Sequence, residues 1–505
     1  MERRVYAANR RGELAVRNPN RNTTRVREDG VSDSNTGLKT SALGLWGVAA
    51  LGAVMMSPAL GIYANLGMIS ASAGKTAPAV FFAALFLTLP TAISYSLIAR
   101  EIPSAGSAYT WLSQAVNPFI GTWMGLLLLA TYLFCVILQP VLFGLFFNEL
   151  LAFLFGIQTG YGTWLAGVVL STIIIALLAY PGIEIAANSS LLLTLIEAVV
   201  VLAISGTILV ALFHHGTLNF QPFNPAAGLN GLSGFSRALV FGLLNFVGFS
   251  VIATAAEETH AAPSVIPKAM MLSCVLSGLF WAVTSWGFSL TLPPDAWGHY
   301  VDQGVNPVAL VARQYWHAGS ILVILTAITA VLGVYLASVV GYARVAYAMG
   351  RDGTLPAWFG RLHPKRRIPW NAQHIAFVLT LLVAVVWGRW VGTYLSYDWW
   401  GSAVVFFSMV ANIFVCVGCT VFFYRYRRQS FSWFGHGFVP VVGILTSLFP
   451  LYYSFGPDLW NLGWKKGQSI VLFSVLVVIA SAAYTVALKH FKPEVLQRAS
   501  EETRS

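Results

Sequence analysis

Charge is scarce in this chain: Asp, Glu, Lys and Arg make up 10% of its 505 residues, against about 25% in soluble domains. That scarcity excludes an ordinary water-soluble globule. Cysteine is also scarce, with 4 residues in all. Cys135, Cys274, Cys416 and Cys419 all fall inside apolar stretches, so no disulfide framework is expected. The C-x-x-C at Cys416 and Cys419 has no histidine beside it and no βαβ context, and reads as two small buried hydrophobes. Among 9 histidines the adjacent His214 and His215 lack a nearby carboxylate, and no H-x-x-x-H or Ser-His pairing stands out. A membrane-embedded enzyme would need His, Asp or Glu at acid-base or metal-ligand spacing. No enzyme, metal or organic cofactor is therefore expected. Residues 1–40 are polar and charged, so they read as a tail and not as a signal peptide.

What is abundant is apolar sequence. Hydrophobic residues make up 57% of the chain, with 17 Trp. Crossing a hydrocarbon core of roughly 30 Å takes about 20 apolar residues, and about 12 segments of that kind can be marked out. The expected fold class is an all-α polytopic membrane protein. The net charge of +11 does not signal nucleic acid, because the basic residues gather in alternate connections. Residues 3–39, 351–367, 425–428 and 489–504 hold most of them, and the intervening loops hold few. By the positive-inside rule both termini are cytoplasmic and the number of spans is even. Anionic lipid is a secondary partner for the same basic clusters. The stretch RNPNRNTTRVREDG within the N-terminal tail reads as disordered.

Two spans are interrupted. The first, near residues 41–69, contains SPALGIYANLG, and Pro58 with Gly61 predicts unwinding from Ser57 to Gly61. The sixth, within FSRALVFGLLNFVGFSVIATAAEETHAAPSVIPK, is broken by Asn245 and Gly248 before Glu257 and Glu258, which read as loop or gate anchors. A proline kink and a packing glycine would leave the same letters, so each break alone is ambiguous. Together they suggest irregular backbone around a cavity, the setting in which a bilayer tolerates it. The third span, near residues 119–153, is long and carries Tyr132 and Gln139. The fifth carries Glu197, roughly 13 Å along the helix from Asn188. A carboxylate that deep costs about 2.5 to 3.5 kcal/mol on insertion scales and is a functional candidate by default. A glutamate that only ties helices together remains the alternative. No carboxylate is read within either break.

Breaks in the first and sixth spans suggest two five-span repeats, near residues 41–213 and 235–424. An odd number of spans makes such repeats inverted. Residues 436–490 then supply two extra helices, and residues 491–505 a cytoplasmic C-terminal tail.

These residues resemble the amino acid/polyamine/organocation (APC) permease superfamily over nearly all of the chain after residue 40. The likeness rests on the Pro-Gly break of span one, the connector IPSAGSAYTW, the GF followed by EET and IPKA, and R-x-x-Y-A-M-G-R-D-G-x-L-P. The sequence looks similar to bacterial putrescine importers and related amino acid permeases. The resemblance implies about 12 transmembrane helices in a five-plus-five inverted-repeat (LeuT-like) core, with discontinuous helices 1 and 6 and two extra helices. It implies a secondary active transporter of a small amino acid or related amine-bearing solute in a bacterial plasma membrane. A polyamine or amine importer, an exchanger and a non-transporting nutrient sensor are the alternatives. By position, Ser57, Pro58, Ala59, Leu60, Gly61, Asn245, Phe246, Val247, Gly248, Phe249, Ser250 and Tyr335 are the expected substrate-binding residues. Glu197 falls about where some members have a coupling lysine, so proton coupling through Glu197 is expected, with a sodium site at Ser338 as second choice. The chain departs from the family in having SPALGIY for a GSGIF-like run, and Ser250 where polyamine importers place an acid. That points to a solute whose carboxylate matters more than an extra positive charge. The oligomeric state leaves no mark in the sequence.

Overall fold

The computed structural model describes residues 44–180, 183–456, 460–461 and 463–496. The tail expected over residues 1–40 lies outside them, as does most of that expected over 491–505. The described residues are helical, with no strand among them, and 12 helices are long and apolar enough to cross a membrane. The first span, Leu45–Tyr63, is two helices, Leu45–Met55 and Pro58–Tyr63, prolonged by Asn65–Ala73. The second is Ala77–Glu101 and the third is Pro118–Phe155. The third has 38 residues, about 57 Å along its axis, so it is much longer than a bilayer core is thick. Asn117 starts it by accepting the Ile120 N–H at 2.9 Å, and Gly156 ends it with φ 61°.

The fourth span is Tyr161–Ala179, the fifth Leu192–His214, the sixth Gly231–Thr254 and the seventh Ala262–Ser289. The apolar stretch Pro307–Arg351 has 45 residues, but His317 at φ 49° bends it. Pro307–Trp316 is therefore a separate helix, and the eighth span is Ile321–Arg351. Trp370–Trp390, Thr393–Tyr426, Trp433–Tyr452 and Ser469–Phe491 complete the set. Burial decides their places: 83% of the sixth span's apolar window is inside the protein, against 22% of the twelfth's. The sixth is thus central and the twelfth peripheral, with Leu476 and Ile479 exposed as lipid contact requires. Small residues let helices approach where lipid gives no hydrophobic drive. A Cβ on Gly144 would lie 2.6 Å from the Trp164 ring, whose indole N–H donates to the Val141 carbonyl at 3.0 Å.

The turn after the sixth span locks the face that bears the basic loops. Glu257 accepts the Ala105 N–H at 3.0 Å, fastening the turn to the connector after span two. Glu258 makes a buried ion pair with Arg344 of the eighth span. Burial pushes the Glu258 carboxyl above the usual carboxylate range, and the Arg344 guanidinium opposes that rise. Tyr109 donates to Asp352 at 2.8 Å beside them. A buried pair is expensive to break on one side only, by about 3–5 kcal/mol. Arg344→Met should accordingly lower the thermal unfolding midpoint of the detergent-solubilised protein sharply, and Glu258→Leu combined with Arg344→Leu should recover most of the loss. An unchanged midpoint in Arg344→Met would show that the pair does not hold this face.

Candidate substrate site

The first break is a helix restart built by two neighbouring residues. Proline lacks an N–H and its fixed φ suits the first position of a helix, so Pro58 begins a new helix and does not unwind one. The interruption is confined to Met56 and Ser57, shorter than the unwinding over Ser57 to Gly61 that the sequence suggests. Ser57 caps the new helix, its Oγ accepting the Leu60 N–H at 3.2 Å. The same hydroxyl donates to Oε2 of Glu197 at 2.8 Å. Glu197 is 3% exposed, and the Ala59 backbone N–H faces the same carboxylate. The positive end of a helix favours an anion, and here the fifth span supplies it. A carboxylate therefore stands at the first break, where the sequence reading placed none.

The second break faces the first. The sixth span is a helix over Gly231–Leu244, a 3-10 turn over Val247–Ser250 and a last helical turn over Val251–Thr254. Gly248 crosses directly over Met55, since a Cβ there would lie 2.8 Å from the Met55 carbonyl carbon. Asn245 sits at the step, its Nδ2 donating to the Phe241 carbonyl at 2.9 Å. Its Oδ1 accepts from Asn65 Nδ2 at 2.7 Å, and Asn65 Oδ1 accepts from the Tyr397 hydroxyl at 2.5 Å. This relay ties the tenth span to the helix after the first break and to the sixth span.

Between the breaks lies a cavity of about 50 Å3 lined by Ser57, Leu60, Asn245, Val247 and Gly248, with Gln139 and Tyr397. Small-molecule sites measure about 300–1,000 Å3, so a solute enters only if this lining moves. The other site residues expected from the sequence do not line this cavity. Pro58 and Ala59 begin the half-helix. Gly61 lies against the Trp281 indole, where a Cβ would overlap the ring. Phe246 meets Trp281 edge-on at 5.2 Å and Phe249 meets Tyr95 at 5.1 Å. Ser250 and Tyr132 share a hydrogen bond of 3.1 Å between their hydroxyls. Tyr335 reaches Thr172 at 3.4 Å, and Ser338 donates to the Val334 carbonyl at 2.7 Å, next to the Met55 sulfur.

Asn65 and Tyr397 were missed in the sequence. Asn65 left a signal, a carboxamide two turns beyond Ser57 in an apolar run. Tyr397 left little, lying within the aromatic run TYLSYDWW. On the face opposite the basic loops, two larger cavities of about 480 and 550 Å3 share Tyr394, Thr393, Gln303 and Gly304 in their walls. Tyr397 lines both the first of these and the central cavity, so it separates them.

Solved structures with the same arrangement include mutants of the Eremococcus coleocola manganese transporter. They give TM-scores of 0.55 and 0.56 at 13% and 12% identity, over 93% of this chain and 100% of those chains. At that identity the likeness speaks for the fold alone: a five-plus-five inverted-repeat, LeuT-like core with discontinuous helices 1 and 6 and two extra helices. Among characterised proteins, the low-affinity putrescine importer PlaP of Escherichia coli is 29% identical over 411 residues, 79% of this chain and 85% of that protein. The branched-chain amino acid permease BcaP of Bacillus subtilis is 27% identical over 450 residues, 86% of this chain and 90% of that protein. The sequence model of one family matches residues 43–486, nearly the whole helical part. The chain belongs to the amino acid permease family, multi-pass membrane transporters and not enzymes.

Proposed function

We propose that this permease is a secondary active transporter that moves a small amino acid or related amine-bearing solute by alternating access, coupled to protons. The observation that carries the coupling is the Ser57 to Glu197 hydrogen bond of 2.8 Å at the first break. A titratable group that caps the break can change the break's geometry when it gains or loses a proton. Glu197 takes a proton from outside, and its release inward ties the cycle to the gradient. Ser338 spends its hydrogen on Val334 and lies 3.7 Å from the Met55 sulfur. Thioether is a poor sodium ligand, since hard cations favour oxygen, and this supports protons over sodium.

The transport core comprises two inverted repeats, near residues 41–213 and 235–424, with residues 436–490 outside it. The basic face, bearing Arg361, Lys365, Arg366 and Arg367, lies toward the cytoplasm with both termini. The two large cavities then open outward, and the Glu258 to Arg344 pair closes the inner side. The membrane is the bacterial cell membrane, in keeping with the relatives. A second reading, an amine importer, is favoured by one observation: Glu197 offers an anion at the break, and a desolvated cation needs such a partner.

Purified protein in liposomes should accumulate an amino acid or an amine when a pH gradient is imposed. Failure across a broad panel of amino acids, amines and carboxylates would remove the transport reading. Ligand binding with neither flux nor exchange would instead identify a sensor. Competition by putrescine and by no amino acid would select the amine importer. Glu197→Gln should abolish accumulation driven by the pH gradient while leaving exchange of substrate down its own gradient. Unchanged accumulation with unchanged pH dependence would discard the coupling role. A tag beside Lys365 should be reached only from the cytoplasm and one beside Lys465 only from outside, and the reverse pattern would invert the orientation.

A further inference from the structure

The cavity of about 480 Å3 holds a carboxylate that the transport cycle above leaves unused. Glu149 lies on the third span, along a face that runs from the central cavity to this one. Gln139 and Leu142 line the central cavity, and Leu142, Phe146 and Glu149 line the larger one. Spacings of three and four residues keep these side chains on one side of the helix. Ten residues separate Gln139 from Glu149, about 15 Å of axial rise. Glu149 therefore belongs to a separate place, beyond the Tyr397 partition.

The immediate surroundings of Glu149 favour an organic cation, while Arg313, the one cationic residue in the cavity wall among the described residues, lies over the Phe153 ring at 5.8 Å. No Lys, Arg or His nitrogen lies within ion-pair distance of it among the described residues. The Asn306 side chain hydrogen-bonds Glu149. Asn306 is fixed in turn, its Nδ2 donating to the Tyr63 carbonyl at 2.9 Å and its Oδ1 accepting the Val308 N–H at 3.0 Å. Tyr394 lies in the field of both Glu149 and Asp398. Tyr63, Tyr394 and Tyr397 are among the residues of the wall, and aromatic faces attract cations. A calcium ion would want six to eight oxygen ligands, and the Asn306 oxygen is already engaged. The volume falls within the range of sites for small organic ligands.

We propose that this cavity binds a primary ammonium group carried on an apolar chain, with Glu149 as its counter-ion and Tyr394 and Tyr397 covering the chain. The site is distinct from the one between the breaks. It is a first station for a cationic solute before the Tyr397 partition opens, and only this role as a station rests on the transport reading.

The test needs neither transport nor a known orientation. Full-length Val305→Cys protein in lipid nanodiscs is labelled with a maleimide, because Val305 lines the cavity and is exposed, whereas the four native cysteines are buried. n-Butylamine should slow the labelling, and butyrate, sodium and calcium should not. Adding Glu149→Gln should raise the half-protecting concentration about tenfold or more, as expected for loss of a charged hydrogen-bond partner. Glu149→Asp, which keeps the charge but withdraws it by one methylene, should give intermediate protection and serves in place of Glu149→Gln if that protein does not fold. Ser57→Ala should leave protection in place. The site would be overturned by equal protection in Glu149→Gln, by equal protection from butyrate or the metal ions, or by the absence of any protection. Loss of protection in Ser57→Ala would place the signal between the breaks and overturn it as well.

Discussion

Backbone that leaves the helix inside a bilayer must find its hydrogen-bond partners within the protein. Most of what is distinctive in this permease follows from how two breaks meet that demand. At the first, Ser57 caps the restarted helix and donates a hydrogen bond to Glu197, so one hydroxyl serves a backbone N–H and a carboxylate together. At the second, Asn245 returns a hydrogen bond to Phe241 and takes another from Asn65. Glycine is required where the breaks cross, because any side chain on Gly248 would meet the Met55 backbone. Both breaks are thus held by hydrogen bonds made within the protein.

The two membrane faces are closed by different means. On the basic face a buried ion pair and the carboxylate of Glu257 bind the turn after the sixth span to the eighth span and to the connector after the second. On the other face the closure above the central cavity is the neutral relay from Tyr397 through Asn65 to Asn245, with open volume beyond it. Net hydrogen bonds of this kind contribute about 0.5–1.5 kcal/mol each, less than the cost of breaking a buried ion pair. In the described conformation the relay is the weaker seal. A solute arriving from the cavity side would need to displace only that relay to reach the breaks.

Much of this could be read from the chain because it depends on local chemistry. Twelve apolar segments, the proline and glycine interruptions of two spans and the alternation of basic loops need no knowledge of tertiary contacts. Glu197 was legible as a charge too deep to be accidental. Its partner was not, since Ser57 is 140 positions away and only packing of the fifth span on the first brings them together. The extent of the first break was misjudged for a local reason: Pro58 can end a helix or begin one, and the preceding Ser57 decides for a beginning. Glu149 escaped notice because it lies 6 residues from the end of Pro118–Phe155, where a carboxylate is cheaper and its letters look like a span boundary. Tyr397 was hidden among the aromatic residues that open the tenth span.

The central claim is that Glu197 is a proton-exchanging carboxylate at the first break. Infrared difference spectra of the full-length protein across a pH titration address it directly. The account predicts a protonated carboxyl band that grows on acidification, shifts in Ser57→Ala as its hydrogen-bond partner is lost, and is missing from Glu197→Gln. A spectrum for Glu197→Gln identical to that of the parent would contradict it.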